Sequence, residues 1–313
     1  MYQFFDFFID SNIPLPELPE VESGAATISF QLSVEPLLQK QNDWLHHWRL
    51  PDGKITISCA RVNGDFYLRF PDLADFKIGG GCTDILCCPS SGVSDEMIKH
   101  LLLDQVIPRL ASHTGEIVLH ASAIVMDGQA IVFLGDTGWG KSTIAASFNM
   151  NGYQLLNDDC LLLRQKNNAI IGIPNYVGIR LWPDSFDAVV DADHVLNDII
   201  YCSSKRRLIL HKNLNTCNEK IPIGAIFVLN SPDKSKNVSN VKIDKITGAE
   251  VFMELIKHSF MLDVTDMRKA DEKFSAIGQI ATSMIPVYRL TYKRHHMLLN
   301  SLCNTIKMIV ARH

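Results

Sequence analysis

The sequence has no uncharged apolar run of about 18 residues, the length a helix needs to cross a bilayer, so no membrane span is expected. Its eight cysteines, Cys59, Cys82, Cys87, Cys88, Cys160, Cys202, Cys217 and Cys303, form no C-x-x-C pair. That excludes the spacing used by zinc and dithiol redox sites. Only Cys87 and Cys88 are adjacent, and sequence neighbours rarely reach disulfide geometry, so free thiols in a reducing cytosol are expected. Positive charge is not in excess: the formal net charge is -4, and Lys205-Arg206-Arg207 is the one compact basic cluster. A nucleic-acid or anionic-membrane partner needs a concentrated basic face, and neither is expected here. The first nine residues lack the basic start and apolar core of a signal peptide, being aromatic and carrying Asp6, and the expected location is the cytoplasm. Internal repeats and low-complexity tracts are missing, although residues 231–240 are polar enough for a surface loop.

What is present is ample core material. The 313 residues are 47% hydrophobic and 20% charged, enough for one large domain or two ordinary ones, and two are expected. Residues 26–32 and 54–61 alternate polar and apolar, and 66–70 follow an Asn63-Gly64 turn signal. The first domain, 1–112, therefore reads as β-rich. It ends in a helix capped by Ser94-Asp95-Glu96 and running towards Leu110, with Pro108 ending or kinking it. From residue 117 the pattern changes to largely apolar strands, the kind buried on both faces of an α/β sheet. Strands are expected at 117–125, 130–134, 154–156, 223–229 and 287–292, with a hairpin of 161–163 and 169–173. Helices are expected at 141–150, 248–261, 268–282 and the C-terminus, giving a second, α/β domain over 113–313.

The chemistry centres on Gly135-Asp136-Thr137-Gly138-Trp139-Gly140-Lys141-Ser142, followed by Thr143. This fits G-x-x-x-x-G-K-[ST] in its working context, between a β run and a helix. In such a P-loop the backbone N–H groups and the helix N-terminus face phosphates, Lys141 neutralises terminal oxygens and Ser142 ligates Mg²⁺. Trp139 is bulky for this loop, and either covers the nucleotide or packs outward. A base and a second metal ligand are sought in Asp158-Asp159, just past strand 154–156. On extended backbone the two carboxylates point apart, one towards an incoming hydroxyl and one towards a metal. An Asx-type turn is the competing account. His120, alone in an apolar strand, is either a hydrogen-bonded core residue or part of this site.

Taken together, Val118-Leu119-His120-Ala121-Ser122, the P-loop and Asn157-Asp158-Asp159 resemble the catalytic domain of the HPr kinase/phosphorylase family. His120 precedes Lys141 by 21 residues and Asp158 follows it by 17, which suits the family's order. The resemblance implies a nucleotide-binding core similar to that of ATP-dependent phosphoenolpyruvate carboxykinase, and a phosphotransferase that uses ATP and Mg²⁺ on a protein serine. It implies Asp158 as the base, Asp159 and Ser142 as metal ligands, and His120 close to the transferred phosphoryl group. Residues 178–184 fall where the family keeps a charged, glycine-containing signature without reproducing it. Arg180 and Asp184 there, with Arg206 and Arg207, are candidates for substrate or phosphate contacts. A loop anchor for Arg180 and a solvated charged face for the basic cluster are the alternatives.

The first domain does not resemble that of HPr kinase/phosphorylase. Residues 9–18 and 68–76 resemble instead a branch of HPr-kinase-like proteins found beside peptide-modification genes, some of which phosphorylate a serine of a lasso-peptide precursor. That resemblance implies a peptide or small-protein substrate, with a lasso-type precursor first. HPr itself, a small molecule, or no transfer at all in a nucleotide-binding module are the rival readings, and homo-oligomer formation stays open.

Overall fold

The computed structural model describes residues 1–22, 25–37, 43–50, 52–167, 169–175, 178–189, 199–202, 205–208, 215–235 and 241–311. The chain is a mixed α/β protein with two large sheets, and it divides into two compact units. The first comprises Met1–Glu116 with Phe260–Lys273, and the second Ile117–Ser259 with Phe274–His313. The sequence boundary at 112/113 was linear, whereas the chain returns to its first unit after residue 259. Local pattern carries no signal for such a return.

The first unit is built on eight strands: β1 (Tyr2–Phe4), β2 (Phe7–Ser11), β3 (Ile28–Leu32), β4 (His46–Arg49), β5 (Ile55–Val62), β6 (Asp65–Phe70), β7 (Ala74–Ile78) and β8 (Asp84–Pro89). They form one sheet in the order β1-β2-β3-β8-β7-β6-β5-β4. Asn63 and Gly64 both take positive φ, 53° and 92°, between β5 and β6, the backbone a two-residue hairpin requires. The opening segment pairs into this sheet as β1 and β2.

Ser94 caps α1 (Asp95–Leu101), its hydroxyl accepting from the Met97 amide. The expected single helix is interrupted by a wider turn over Leu102–Val106 before α2 (Ile107–His113). Pro108 thus falls in the first turn of α2, where a missing N–H costs least.

The second unit continues with β9 (Ile117–Leu119), β10 (Ala121–Met126), β11 (Gln129–Leu134), α3 (Lys141–Met150), β12 (Gln154–Asn157), β13 (Leu161–Lys166) and β14 (Ala169–Ile173). Then come β15 (Ile179–Leu181), α4 (Pro183–Val189), β16 (Ile199–Cys202), β17 (Lys205–Leu208), β18 (Ile221–Leu229), α5 (Pro232–Ser235) and β19 (Lys242–Ile246). α6 (Ala249–Lys257), α7 (Met267–Ala281), whose residues up to Lys273 belong to the first unit, β20 (Val287–Thr291) and α8 (Leu299–Val310) complete the chain.

The main sheet runs β12-β10-β11-β18-β14-β13-β9, with β20 beside β18 and β19 beside β20, while β15-β17-β16 form a small second sheet. β11, β18 and β20 are parallel, so their C-terminal ends share one edge. In open α/β sheets that edge is where ligands bind. Beneath it Phe133 faces Phe148 and Phe227, with ring centroids 6.0 and 6.1 Å away, and Phe227 stacks on Tyr288 at 5.2 Å. These rings anchor the strands and α3 in one buried cluster.

The expected strand over 117–125 is in fact two. β9 pairs with β13, and β10 pairs with β11 and β12, so the chain changes partners at His120. An unbroken apolar run conceals such a break, because both halves are buried on both faces.

Candidate functional site

The loop between β11 and α3 turns on glycines. Gly140, the residue that caps α3, has φ 97°, a left-handed conformation that L side chains rarely adopt. Space imposes the same choice, since a Cβ there would lie 2.9 Å from the Tyr292 hydroxyl oxygen. Gly138 also lies in the left-handed region, with φ 82°. Lys141 is buried, its ammonium donating to the carbonyls of Gly135 at 2.8 Å and Asp136 at 3.4 Å. The cation is thereby held across the mouth of the loop.

Trp139 is half-buried; its ring lies against Gly135 and carries the Lys257 ammonium 4.9 Å from its centroid. Lys257 also pairs with Asp136 at 2.9 Å. Thr137 is exposed and Thr143 half-buried.

Asp158 and Asp159 follow β12 and are only four per cent and moderately exposed, respectively. Asp158 Oδ1 accepts from the Ser122 hydroxyl at 2.5 Å and Oδ2 from the Arg180 amide at 3.2 Å. The Ser142 hydroxyl lies close enough to the same carboxylate to favour its charged form. Burial, with the Asp159 charge second, pushes the Asp158 pKa upward, and these three donors pull against that.

The backbone here is not extended, as the sequence reading had it. Asp159 sits at φ 62°, and the Cys160 amide bonds back to the Asp158 carbonyl at 2.8 Å, closing a three-residue turn. Such a conformation costs roughly 1–3 kcal/mol in a non-glycine residue. The turn still sends the two carboxylates to different partners. Asp159 receives the Arg180 guanidinium, through Nε at 3.1 Å and through Nη2, and lies 3.7 Å from His120 Nε2. Ser142 therefore meets Asp158, and Asp159 meets Arg180 and His120.

His120, at the break between β9 and β10, is 28% exposed at its side chain, and its amide donates to the His258 carbonyl at 2.7 Å. Desolvation, and then the Lys141 charge, lower its pKa to about 4, with Asp159 opposing them. The ring is neutral at physiological pH. His258 itself is buried between Asp136 at 3.8 Å and Glu254 at 3.5 Å.

Of the remaining sequence candidates, Arg180 on β15 joins the site through both its side chain and its amide, as described. Asp184 lies on α4 and is exposed. Arg206 and Arg207 lie on β17 opposite Leu181 and Arg180, and their side chains fall outside the described residues.

Sequence reasoning assigned no role to Ser122, Lys257 or His258. Ser122 stood in the quoted stretch but looked like one more small residue of a buried strand. Lys257 and His258 end α6, more than 100 positions from the loop they support, and nothing local marks them.

The oxygen donors gathered here, the Ser142 hydroxyl and the two carboxylates, are the hard ligands that Mg²⁺ takes. Among the described residues no group of three or more His, Cys, Asp or Glu is arranged to hold a metal. Mg²⁺ commonly uses only one or two carboxylates and completes its shell with phosphate oxygens and water, so the donor set fits it. Among the described residues no helix is long and apolar enough to cross a membrane.

No family model matches the chain, and no curated protein matches it. Among solved structures the chain is similar to the Hpr(Ser) kinase/phosphatase from Coxiella burnetii, at 17% sequence identity and a TM-score of 0.34. The match covers 62% of this chain and 98% of that chain, and it is a distant resemblance of fold.

Proposed function

We propose that the protein is a phosphotransferase that moves the terminal phosphoryl group of ATP to a serine hydroxyl of a peptide or small protein, with a lasso-type precursor peptide as the substrate. The observation that carries the reading is the meeting of separate segments at Asp158: Ser122 from β10, Ser142 from the start of α3 and the Arg180 amide from β15. A carboxylate fixed beside a phosphate-type loop has the place and the protonation range of a general base. The peptide character of the substrate rests on the sequence resemblance of residues 9–18 and 68–76. ATP and reduced thiols are both supplied in the cytoplasm, the location this reading implies.

The loop amides over 135–142 and Lys141 would hold the phosphates, and Ser142 with Asp159 would hold Mg²⁺. When bound, the metal supplies charge neutralisation to the phosphate oxygens. Asp158 takes the proton of the attacking serine hydroxyl as its oxygen forms the new P–O bond, and ADP leaves with the electrons of the broken one. Arg180 fixes Asp159, so that the second carboxylate does not drift towards the base. Neutral His120 can donate a hydrogen bond without adding a charge that would have to be neutralised.

The test is incubation of the protein with Mg-ATP and serine-containing precursor peptides, read by mass spectrometry for one added phosphoryl group. Phosphorylation of HPr in place of the peptides would make it an HPr kinase, and transfer to a small molecule alone would remove the peptide substrate. ATP binding without any transfer would reduce the site to a nucleotide-binding module.

A further inference from the structure

On the far side of the glycine loop from Asp158, two polar groups end against Gly140 with donors to spare. Tyr292 is 3% exposed, and among the described residues its hydroxyl makes no hydrogen bond, although it points at the position a Gly140 Cβ would take, 2.9 Å away. Arg294 Nε lies 4.0 Å from the same point and is buried without a partner. The rest of that guanidinium is fixed. Nη1 donates to the Tyr292 carbonyl at 3.0 Å, Nη2 to the Asn230 carbonyl at 2.5 Å, and the group lies 4.1 Å over the Tyr292 ring. Asn230, just past β18, is tied in turn to Thr291 through Nδ2 at 3.1 Å. A buried donor without a partner is uncommon in native proteins because it costs a desolvation penalty, so Arg294 Nε, with the unbonded Tyr292 hydroxyl beside it at one helix N-terminus, calls for a ligand.

Sheet order indicates which part of a ligand they would meet. Across the edge that holds the loop, β12 and β10 lie on one side of β11, and β18 followed by β20 on the other. Asp158 follows β12 and His120 precedes β10, so the groups suited to transfer flank the loop on the first side. Tyr292 and Arg294 follow β20 and flank it on the second. A nucleotide whose terminal phosphate faces Asp158 and whose phosphates cross the loop must place its sugar on the β18–β20 side.

We propose that the turn between β20 and α8 is the ribose-binding wall of the site, with the Tyr292 hydroxyl and Arg294 Nε donating to ribose oxygens. This rests on the phosphotransferase reading only in requiring a nucleotide on the loop. It gives the protein a means of telling a nucleotide from a bare polyphosphate. A site built to hydrogen-bond a sugar leaves buried groups unpaired when the sugar is missing, and so penalises the impostor.

Isothermal titration of Mg-ATP and of inorganic tripolyphosphate into the wild-type protein, Tyr292→Phe, Arg294→Gln and Lys141→Ala tests it. Tyr292→Phe removes a hydroxyl with no partner, so its fold is expected to be intact, and a thermal melt checks that. Both wall variants are expected to bind ATP about threefold to tenfold more weakly while binding tripolyphosphate within about twofold of wild type. Lys141→Ala is expected to weaken both ligands. If the wall variants leave ATP affinity unchanged, or lose ATP and tripolyphosphate in parallel, the ribose assignment is overturned while the loop reading stands. If the wild type binds neither ligand, both fall together.

Discussion

Asp158 has a folded-state pKa raised to about 6 by burial and by the neighbouring Asp159 charge. A carboxyl shifted in this direction favours folding while protonated, and that contribution is complete below about pH 4 and lost as pH rises through about 6. Removing the charge should therefore relieve the fold. Asp158→Asn is expected to melt at a higher temperature than wild type at pH 8, with the gap closing at pH 5, in thermal melts at the two values. The same substitution should lower phosphoryl transfer by about 10²-fold or more, with ATP affinity held within a few-fold. The wild-type rate should fall as pH drops below about 6, where the base becomes protonated, and initial rates against pH would show the limb. His120, whose pKa is lowered to about 4, adds no charge change in that window. Of these residues, Lys141, Asp158 and Asp159 were candidates from residue type and spacing, and His120 from the family resemblance. The Ser122 and Arg180 contacts were not legible, because a hydroxyl in a buried strand and an arginine between Ile179 and Leu181 look alike whether or not a carboxylate lies opposite.

At the scale of elements, strand, glycine turn and α3 follow from local sequence: an apolar β run, residues able to take positive φ, and a helix that starts at Lys141. The Gly140 position combines a left-handed backbone with a close approach by Tyr292. Gly140→Ala is expected to cost about 1–3 kcal/mol of stability and to weaken ATP binding, measured by urea unfolding and titration. Adding Tyr292→Phe should recover part of the lost stability by removing the oxygen that the new Cβ meets, but not the part due to φ. A double-mutant cycle separates the two. The strand break at His120 and the positive-φ turn at Asp159 could not be seen locally. The first is set by a change of pairing partner, and the second by the ligands that the two carboxylates find across the fold.

For the molecule as a whole, the first unit is closed by a segment that comes late in the chain. Lys273 donates to the Ser112 hydroxyl and the Phe260 carbonyl, and Arg109 lies 5.2 Å from the Phe260 ring centroid. A fragment of residues 1–116 lacks Phe260–Lys273 and is expected to show no cooperative melt by circular dichroism. The full chain with Mg-ATP at about 100 times Kd should gain about 2.7 kcal/mol of stability by mass action, a gain that Lys141→Ala removes. By itself the sequence determined the α/β character of the second unit, the glycine loop with its lysine and the acidic pair, because each depends on neighbours within one strand, turn or helix. The tertiary structure alone decided that Ser142 meets Asp158 while Arg180 and His120 meet Asp159, that Tyr292 and Arg294 close on Gly140, and that residues 260–273 return to the first unit. Those relations join positions far apart in the chain, and only the closing of the sheet and the burial of its core bring them within hydrogen-bond reach.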